Sequence, residues 1–224
     1  RSSDLTKTPL TLIQNYLEKY LSNPSDIQDL NVIKANIELL LKNMINFLDV
    51  EKLRRGQIFY NHSRTLNVSS FLKNKVSLLK EYAKKKNITL HAFIDDNIHM
   101  KVDPYAMDRI INNLVENAIK YNREEGWINI NLYGEDDTVV LTIKDNGIGM
   151  DKEQIDHIFL PYHQLLHHKR NIQGIGMGLF IVKKIVESID GTIKVNGAPG
   201  KGTVFTLLFK RRNGENYHEE EIKT

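Results

Sequence analysis

The feature that most constrains the fold is a change of periodicity about a quarter of the way along the chain. Up to about residue 55, apolar residues recur at three- and four-residue steps, the spacing of one face of an α-helix. From about residue 66, helical patterns alternate with runs in which every second residue is apolar, which is typical of half-buried strands. This order predicts an α+β chain with a helical domain at residues 1–56 and a mixed domain at 66–210. Residues 211–224 are expected to be a linker or frayed tail.

The helical domain predicts a two-helix hairpin. Ser22-Asn23-Pro24 separates the two helical segments, and Ser25 with Gln28 can form a capping box for the second. The second segment carries an apolar stripe wider than one partner helix would cover, so we expect a four-helix bundle made by two chains. The alternative is that the stripe packs on the chain's own second domain. The stripe comprises Leu30, Ile33, Ile37, Leu40, Met44 and Phe47, widened by Leu41, Ile45 and Leu48, beside Leu10, Ile13, Leu17 and Leu21 of the first segment.

Composition excludes several classes of function. The chain lacks cysteine, which rules out disulfide and thiol chemistry, and its net charge of +3 is too small and too dispersed to indicate nucleic-acid binding. No apolar run approaches the roughly 20 residues of a membrane-spanning helix. His62, in the polar stretch between the domains, is predicted to be a solvated linker residue.

One predicted helix of the second domain carries a polar stripe. Asp103 and Pro104 form a helix start, and the helix runs to about Tyr121. Asn113, Asn117 and Lys120 lie at i, i+4 and i+7 on one side of it. Two carboxamides and an ammonium suit a hydrated Mg²⁺ and the phosphates that it neutralises. A solvated polar face is the alternative.

Two glycine-containing segments follow. Asp145-Asn146-Gly147-Ile148-Gly149-Met150 places a carboxylate at the end of a predicted strand, where it can accept a hydrogen bond from an amino group. The hexamer alone also fits an ordinary hairpin turn. Gly174-Ile175-Gly176-Met177-Gly178-Leu179 opens a helix and exposes backbone N–H groups to an anion. Its spacing is neither the Walker nor the Rossmann pattern.

These three pieces, in this order, resemble the N, G1 and G2 boxes of the ATP-binding domain of sensor histidine kinases, in the superfamily shared with gyrase-type ATPases. Ile158-Phe159-Leu160-Pro161-Tyr162 resembles the F box of that family, and Pro199-Gly200-Lys201-Gly202-Thr203 its closing hairpin. The resemblance covers roughly residues 66–210 and implies a two-layer α/β sandwich. The hairpin before it resembles the dimerisation and histidine-phosphotransfer domain.

The resemblance implies a role for each matching residue. Asp145 would accept the adenine amino group, and Gly147, Ile148 and Gly149 would let the base lie against the backbone. Asn117 would coordinate Mg²⁺ with support from Asn113, and Lys120 would meet phosphate. The remaining implied nucleotide-binding residues are Tyr121, which would flank the adenine, Thr203 of the closing hairpin, Gly174, Ile175, Gly176, Met177, Gly178 and Leu179 near the triphosphate, and His168, Lys169 and Arg170 in the lid.

Asn113 favours one reaction class. In the hydrolytic relatives the corresponding residue is a glutamate that activates water, whereas asparagine cannot take a proton at neutral pH. We therefore expect a protein-histidine kinase that binds Mg²⁺ and ATP, transfers the γ-phosphoryl group to a histidine, and passes it to a response regulator aspartate. The alternatives are a non-catalytic, nucleotide-regulated dimeric scaffold and a gyrase-like ATP hydrolase. The segment is expected to be the cytoplasmic part of a membrane-anchored sensor and a homodimer through its N-terminal helices.

The N-terminus departs from the family pattern. The phosphoacceptor histidine should stand five residues before Pro9, where this chain has Asp4. We expect that roughly the first five residues are not native and that the histidine was removed or replaced. The alternative is a natural pseudo-acceptor. In either case this chain should bind nucleotide without labelling itself.

Overall fold

The structure, a computed structural model, describes residues 2–22, 27–56, 60–163 and 176–210. Among these, inter-residue contacts define two compact units, one of residues up to 56 with 156–163 and 176–184, the other of residues 60–155 with 185–210. The described elements are α1 (Ser2–Ser22), α2 (Ile27–Arg54), β1 (Thr65–Asn67), α3 (Val68–Lys84), β2 (Thr89–Ile94), β3 (His99–Lys101), α4 (Pro104–Lys120), β4 (Trp127–Glu135), β5 (Thr138–Asp145), α5 (Lys152–His157), α6 (Gly178–Ser188), β6 (Thr192–Ala198) and β7 (Gly202–Lys210).

Helices α1 and α2 contact each other, as the hairpin prediction requires. The capping box at Ser25 falls outside the described residues. In the described part of the chain, no helix is both long enough and apolar enough to cross a membrane.

The face that α2 buries is not the predicted apolar stripe. Asn36, Asn43, Asn46 and Val50 are buried, at spacings of seven, three and four residues. The Asn36 carboxamide has a hydrogen-bond partner within the helix, because its Nδ2 donates to the Val32 carbonyl at 2.8 Å, one turn earlier. Most of the predicted stripe remains at least 40% exposed, comprising Leu30, Ile37, Leu41, Met44, Ile45, Phe47 and Leu48.

A five-stranded sheet in the order β2-β4-β5-β7-β6 forms the centre of the second unit. The β2–β4 pair is parallel and the other pairs are antiparallel. Alternation along β4 buries Ile128, Ile130 and Leu132, which leaves the residues between them half-exposed. Helix α3 contacts β2 and α4 contacts β5, which gives the predicted sandwich of helices on a sheet.

A second, small sheet pairs β1 with β3. Strand β3 was not predicted, because three residues are too few to show an alternating pattern. The predicted start of α4 is confirmed, since Asp103 Oδ1 accepts from the N–H groups of Tyr105 (2.8 Å) and Ala106 (3.4 Å).

The prediction for His62 was wrong, because its ring is half-buried and both ring nitrogens are bonded. The Asp103 N–H donates to His62 Nδ1 at 3.1 Å, so Nδ1 is the unprotonated nitrogen. His62 Nε2 then donates to Ser188 Oγ at 3.1 Å. Burial lowers the pKa of His62, and the charge of Asp103 opposes this shift only in part. The residue therefore connects the start of α4 to the end of α6.

Candidate nucleotide-binding site

Asp145 is the last residue of β5 and is only 6% exposed. Its Oδ1 accepts two backbone hydrogen bonds, from Gly147 N at 2.8 Å and Thr203 N at 3.2 Å. Within the described parts of the chain, no donor bonds to Oδ2. One carboxylate oxygen is therefore fixed by the protein, and the other is available to a ligand.

The electrostatics of this carboxylate reflect its surroundings. Burial raises the pKa of Asp145 to about 6, although the bonds from Gly147 and Thr203 act in the opposite direction. An amino group that donates to Oδ2 would supply part of the hydrogen bonding that burial has removed. The site therefore favours a ligand with a hydrogen-bond donor at this point.

The glycines of the turn make contacts within the protein. A Cβ atom on Gly147 would lie 2.3 Å from the Tyr121 carbonyl oxygen, and one on Gly149, where φ is +65°, would lie 1.9 Å from the Ala198 carbonyl oxygen. Ile148 N donates to the Tyr121 carbonyl at 3.0 Å, and the Ile148 carbonyl accepts from Gly200 N at 2.7 Å. These glycines let the turn pack between the end of α4 and the β6–β7 turn, a reason that the sequence did not predict. Their contact with a base stays a prediction.

Asn113, Asn117 and Lys120 are half-buried along one edge of the buried face of α4. Asn113 Nδ2 donates to the Arg109 carbonyl at 2.7 Å, and the Asn113 side-chain oxygen has no hydrogen bond among the described residues. In the described part of the chain, the Asn117 carboxamide has no hydrogen bond. Oxygen donors of this kind fit Mg²⁺, so the donor set is chemically suited to that ion.

Tyr121 and Lys120 are already in contact at the end of this stripe. Lys120 Nζ lies 5.0 Å from the centre of the Tyr121 ring, a cation–π distance. Burial raises the pKa of the Tyr121 hydroxyl, so the ring remains neutral. The structure thus brings Tyr121, which directly follows α4, and Gly147 of the turn close to Asp145.

Part of the glycine-rich segment can be placed. Gly176 has φ +69°, and a Cβ atom there would lie 2.1 Å from the His163 carbonyl oxygen. Met177 is buried, and the described part of the helix begins at Gly178, followed by Leu179. The predictions for His168, Lys169, Arg170, Gly174 and Ile175 fall outside the described residues.

Two residues beside the site escaped the sequence reasoning. Asn122 follows α4 and Asn146 follows Asp145, and both are buried with bonded side chains. A polar residue next to each motif was the only signal in the sequence. Their shared partner, the backbone of Trp127, could not be read from it.

Comparison with known proteins identifies the family. Residues 102–213 match the model of the histidine kinase-, DNA gyrase B- and HSP90-like ATPases. The chain belongs to this family. Membership of this ATPase family confirms the resemblance deduced from the three motifs and makes the site around Asp145 part of a nucleotide-binding domain.

The family relatives are sensor kinases. The chain is 29% identical over 218 residues to the sensor histidine kinase YvrG of Bacillus subtilis, covering 94% of this chain and 37% of the relative. It is 33% identical over 208 residues to the sensor histidine kinase TmoS of Ectopseudomonas mendocina, covering 90% and 21%. The chain thus spans well under half the length of these relatives.

Solved structures show the same fold. The histidine kinase ThkA, crystallised in complex with the response regulator protein TrrA, aligns with a TM-score of 0.68 and 20% identity. The alignment covers 94% of this chain and 60% of ThkA. At this identity the likeness supports the fold alone.

Proposed function

We propose that this chain is the kinase core of a sensor histidine kinase, which binds Mg²⁺ and ATP and transfers the γ-phosphoryl group to a histidine and then to a response regulator aspartate. The observation that carries the proposal is the buried Asp145 carboxylate, with one oxygen bonded to two backbone N–H groups and the other available. The named relatives support the same activity.

The adenine end of the site consists of groups that recognise an exocyclic amine. Asp145 Oδ2 accepts the amino hydrogen, while Gly147 N and Thr203 N hold Oδ1 so that the carboxylate cannot rotate. Tyr121 flanks the base with a neutral ring. Because the carboxylate is held before the ligand arrives, little conformational entropy is lost on binding.

The phosphate end lies along α4. Asn117 would hold Mg²⁺ through its carbonyl oxygen with Asn113 beside it, and Lys120 would leave the Tyr121 ring to meet a phosphate oxygen. Bound Mg²⁺ would neutralise charge on the transferred group. Since neither asparagine can accept a proton from water, this end favours phosphoryl transfer to a protein side chain over hydrolysis.

The acceptor and the partners complete the proposal. The first histidine in the sequence is His62, so α1 and α2 contain no phosphoacceptor of their own. The acceptor would be a histidine at the position that Asp4 occupies here, presented by a homodimer of the two helices. A receiver domain would then take the phosphoryl group, as the complex of ThkA with a response regulator suggests by analogy. This segment would operate in the cytoplasm.

Calorimetric titration with Mg²⁺ and ATP tests the nucleotide site. Asp145→Asn should weaken binding at least about tenfold, because a hydrogen bond to a charged acceptor contributes about 1.5–3 kcal/mol. Asp95→Asn is the matched control, since Asp95 is an exposed aspartate that also directly follows a strand. Equal affinities for the wild type and Asp145→Asn would contradict the site.

Labelling with [γ-³²P]ATP tests the reaction. The chain as it stands should not label, whereas Asp4→His should acquire a label that is stable to base and lost in acid. Acid-labile label on the unaltered chain would contradict the assignment of the acceptor position. The second candidate, a nucleotide-regulated scaffold, is favoured by the missing histidine; nucleotide binding without label on Asp4→His would select it.

A further inference from the structure

Two buried asparagines from opposite sides of the site meet on one backbone residue. Trp127, the first residue of β4, donates its N–H to Asn146 Oδ1 at 2.7 Å. The Trp127 carbonyl accepts from Asn122 Nδ2 at 3.3 Å and from Asn146 N at 3.4 Å. Both backbone polar groups of Trp127 are therefore bonded to the segments that flank the site: the N–H to Asn146 after β5, and the carbonyl to Asn146 and to Asn122 after α4.

The same two segments also touch directly. Ile148 N donates to the Tyr121 carbonyl at 3.0 Å, and a Cβ atom on Gly147 would lie 2.9 Å from Asn122 Cα. Asn122 and Asn146 are only 5% and 8% exposed, so water cannot readily replace their partners. Loss of a bond would leave a buried polar group unsatisfied, which costs about 1–3 kcal/mol, so the linkage resists separation of the segments.

The orientation of the Asn122 carboxamide is fixed from both ends. Its Oδ1 accepts from Arg123 N at 2.9 Å while its Nδ2 bonds to Trp127. Gly126 leaves the space that Oδ1 occupies, since a Cβ atom there would lie 2.0 Å from Oδ1. A side chain at position 126 would therefore displace this carboxamide, and the same Cβ atom would lie 2.9 Å from the Arg123 carbonyl oxygen.

We propose that Asn122 and Asn146 are positioning residues, which hold the end of α4 at a set distance from the turn after β5. The end of α4 carries Asn117 and Lys120, and the turn follows Asp145. The inference rests on the proposed function, in which one nucleotide contacts both segments. A ligand that reaches from Asp145 to Asn117 and Lys120 gains from this fixed separation, whereas adenosine, which would contact Asp145 and the Tyr121 ring, does not reach those two residues.

Two ligands separate this role from a general structural one. Adenosine tests the adenine end of the site, and its binding is measured from the NMR shift of the Gly147 amide. Mg²⁺ with the non-hydrolysable analogue AMP-PNP tests both ends, and its binding is measured by calorimetry. In Asn122→Ala we expect the Kd for Mg²⁺ and AMP-PNP to rise about tenfold, as one buried hydrogen bond allows, while the Kd for adenosine stays within about twofold. Gly126→Ala should give the same pattern.

The double variant and a control sharpen the test. Because the closest contact of a Cβ atom at position 126 is with the Asn122 side chain, most of the effect of Gly126→Ala should depend on that side chain. The variant that combines Asn122→Ala with Gly126→Ala should therefore have a Kd close to that of the single variant that binds more weakly. Asn131→Ala is the matched control, since Asn131 Nδ2 donates to Thr142 Oγ1 at 3.1 Å on the same β4–β5 pair. It should leave the ratio of the two dissociation constants unchanged. Asn122→Asp, which keeps the acceptor for Arg123 N, replaces Asn122→Ala should that variant not fold.

Each outcome has a distinct meaning. A selective loss of AMP-PNP affinity in both single variants supports the positioning role. An equal loss for both ligands, or no loss for either, overturns it. A wild-type chain that binds AMP-PNP no more tightly than adenosine would instead contradict the proposed function.

Discussion

The helical pair leaves many of its apolar side chains exposed, whereas the five-stranded sheet buries them. In the sheet, Leu141 is fully buried, together with Ile128 and Ile130. In α2, Leu41 is 54% exposed while Asn43, two residues further on, is 8% exposed. An apolar stripe left exposed on a helix indicates a surface that another molecule covers, whereas the core of the sheet is complete within one chain. The exposed stripe is the reason for the proposal that two chains associate through α1 and α2.

The largest expected effect is a difference in stability between alanine substitutions of two leucines, Leu141 in the sheet and Leu41 on α2. Leu141→Ala should lower the free energy of unfolding of the sheet by about 2–5 kcal/mol, because it leaves a cavity in a filled core. Leu41→Ala should change the stability of the sheet by less than about 0.5 kcal/mol. Urea denaturation followed by the fluorescence of Trp127, the single tryptophan, measures both. A comparable loss from Leu41→Ala would show that the stripe supports the sheet and would remove the contrast.

A charge in the stripe should act on association instead. Leu41→Glu should raise the dimer dissociation constant by about 100-fold or more, because each interface would bury two unpaired carboxylates at a cost of several kcal/mol. Sedimentation equilibrium gives the constant. Leu78→Glu, on α3, is the control, since Leu78 is a more exposed leucine at 71%. A wild-type chain that is monomeric at high micromolar concentration would sink the proposal that the stripe is covered by a second copy.

Features coded by neighbouring residues could be predicted from the sequence. The alternation along β4 and β5, the Asp103 cap of α4 and the position of Asp145 at a strand end all depend on residues within one segment, and each is confirmed. Which face of α2 is buried within the chain could not be predicted. Both the apolar stripe and the asparagine-containing face follow the same spacing, and only the tertiary contacts decide which is buried.

Features made by distant residues were missed. The partners of His62 are 41 and 126 residues away, and Asn146 reaches the backbone of a residue 19 positions earlier. The glycines of the turn were assigned to a ligand, since the carbonyl groups of Tyr121 and Ala198 that approach them lie in other segments. The residue types of the site could be identified from the sequence, but the hydrogen bonds and backbone contacts that hold them in place could not.

A third prediction concerns the pH dependence of the sheet. The pKa of Asp145 is raised by burial to about 6 in the folded chain, from 3.8 in the unfolded chain. A raised folded pKa contributes stability that is fully present below pH 3.8 and is lost as the pH rises through 6. Asp145→Asn should therefore be more stable than the wild type at pH 8, by about 3 kcal/mol, and should lose this advantage towards pH 4.

Urea denaturation at pH 4, 6 and 8 measures this difference, with Asp95→Asn again as the control because its carboxylate is exposed. The expected gain in stability accompanies the loss of nucleotide affinity, so the charge at position 145 is retained for binding at the expense of the fold. An Asp145→Asn variant that is less stable at pH 8 would show that the ionised carboxylate stabilises the turn.

The smallest expected effect lies within the second unit, where His62 bonds to the start of α4 and to the end of α6. His62→Ala removes the bonds to Asp103 N and Ser188 Oγ and should cost the second unit about 1 kcal/mol at pH 7.5. Because burial depresses the folded pKa of His62 below 6.5, its contribution is present above pH 6.5 and is lost as the pH falls through the folded pKa. Asp103 is the charged group that opposes this shift. The stability difference between His62→Ala and the wild type, measured by urea denaturation from pH 7.5 to 5, should therefore shrink. His91→Ala, which removes an exposed histidine on β2, should give no such trend. A difference that stays constant over this range would mean that His62 stabilises the second unit by packing, without a contribution from its protonation state.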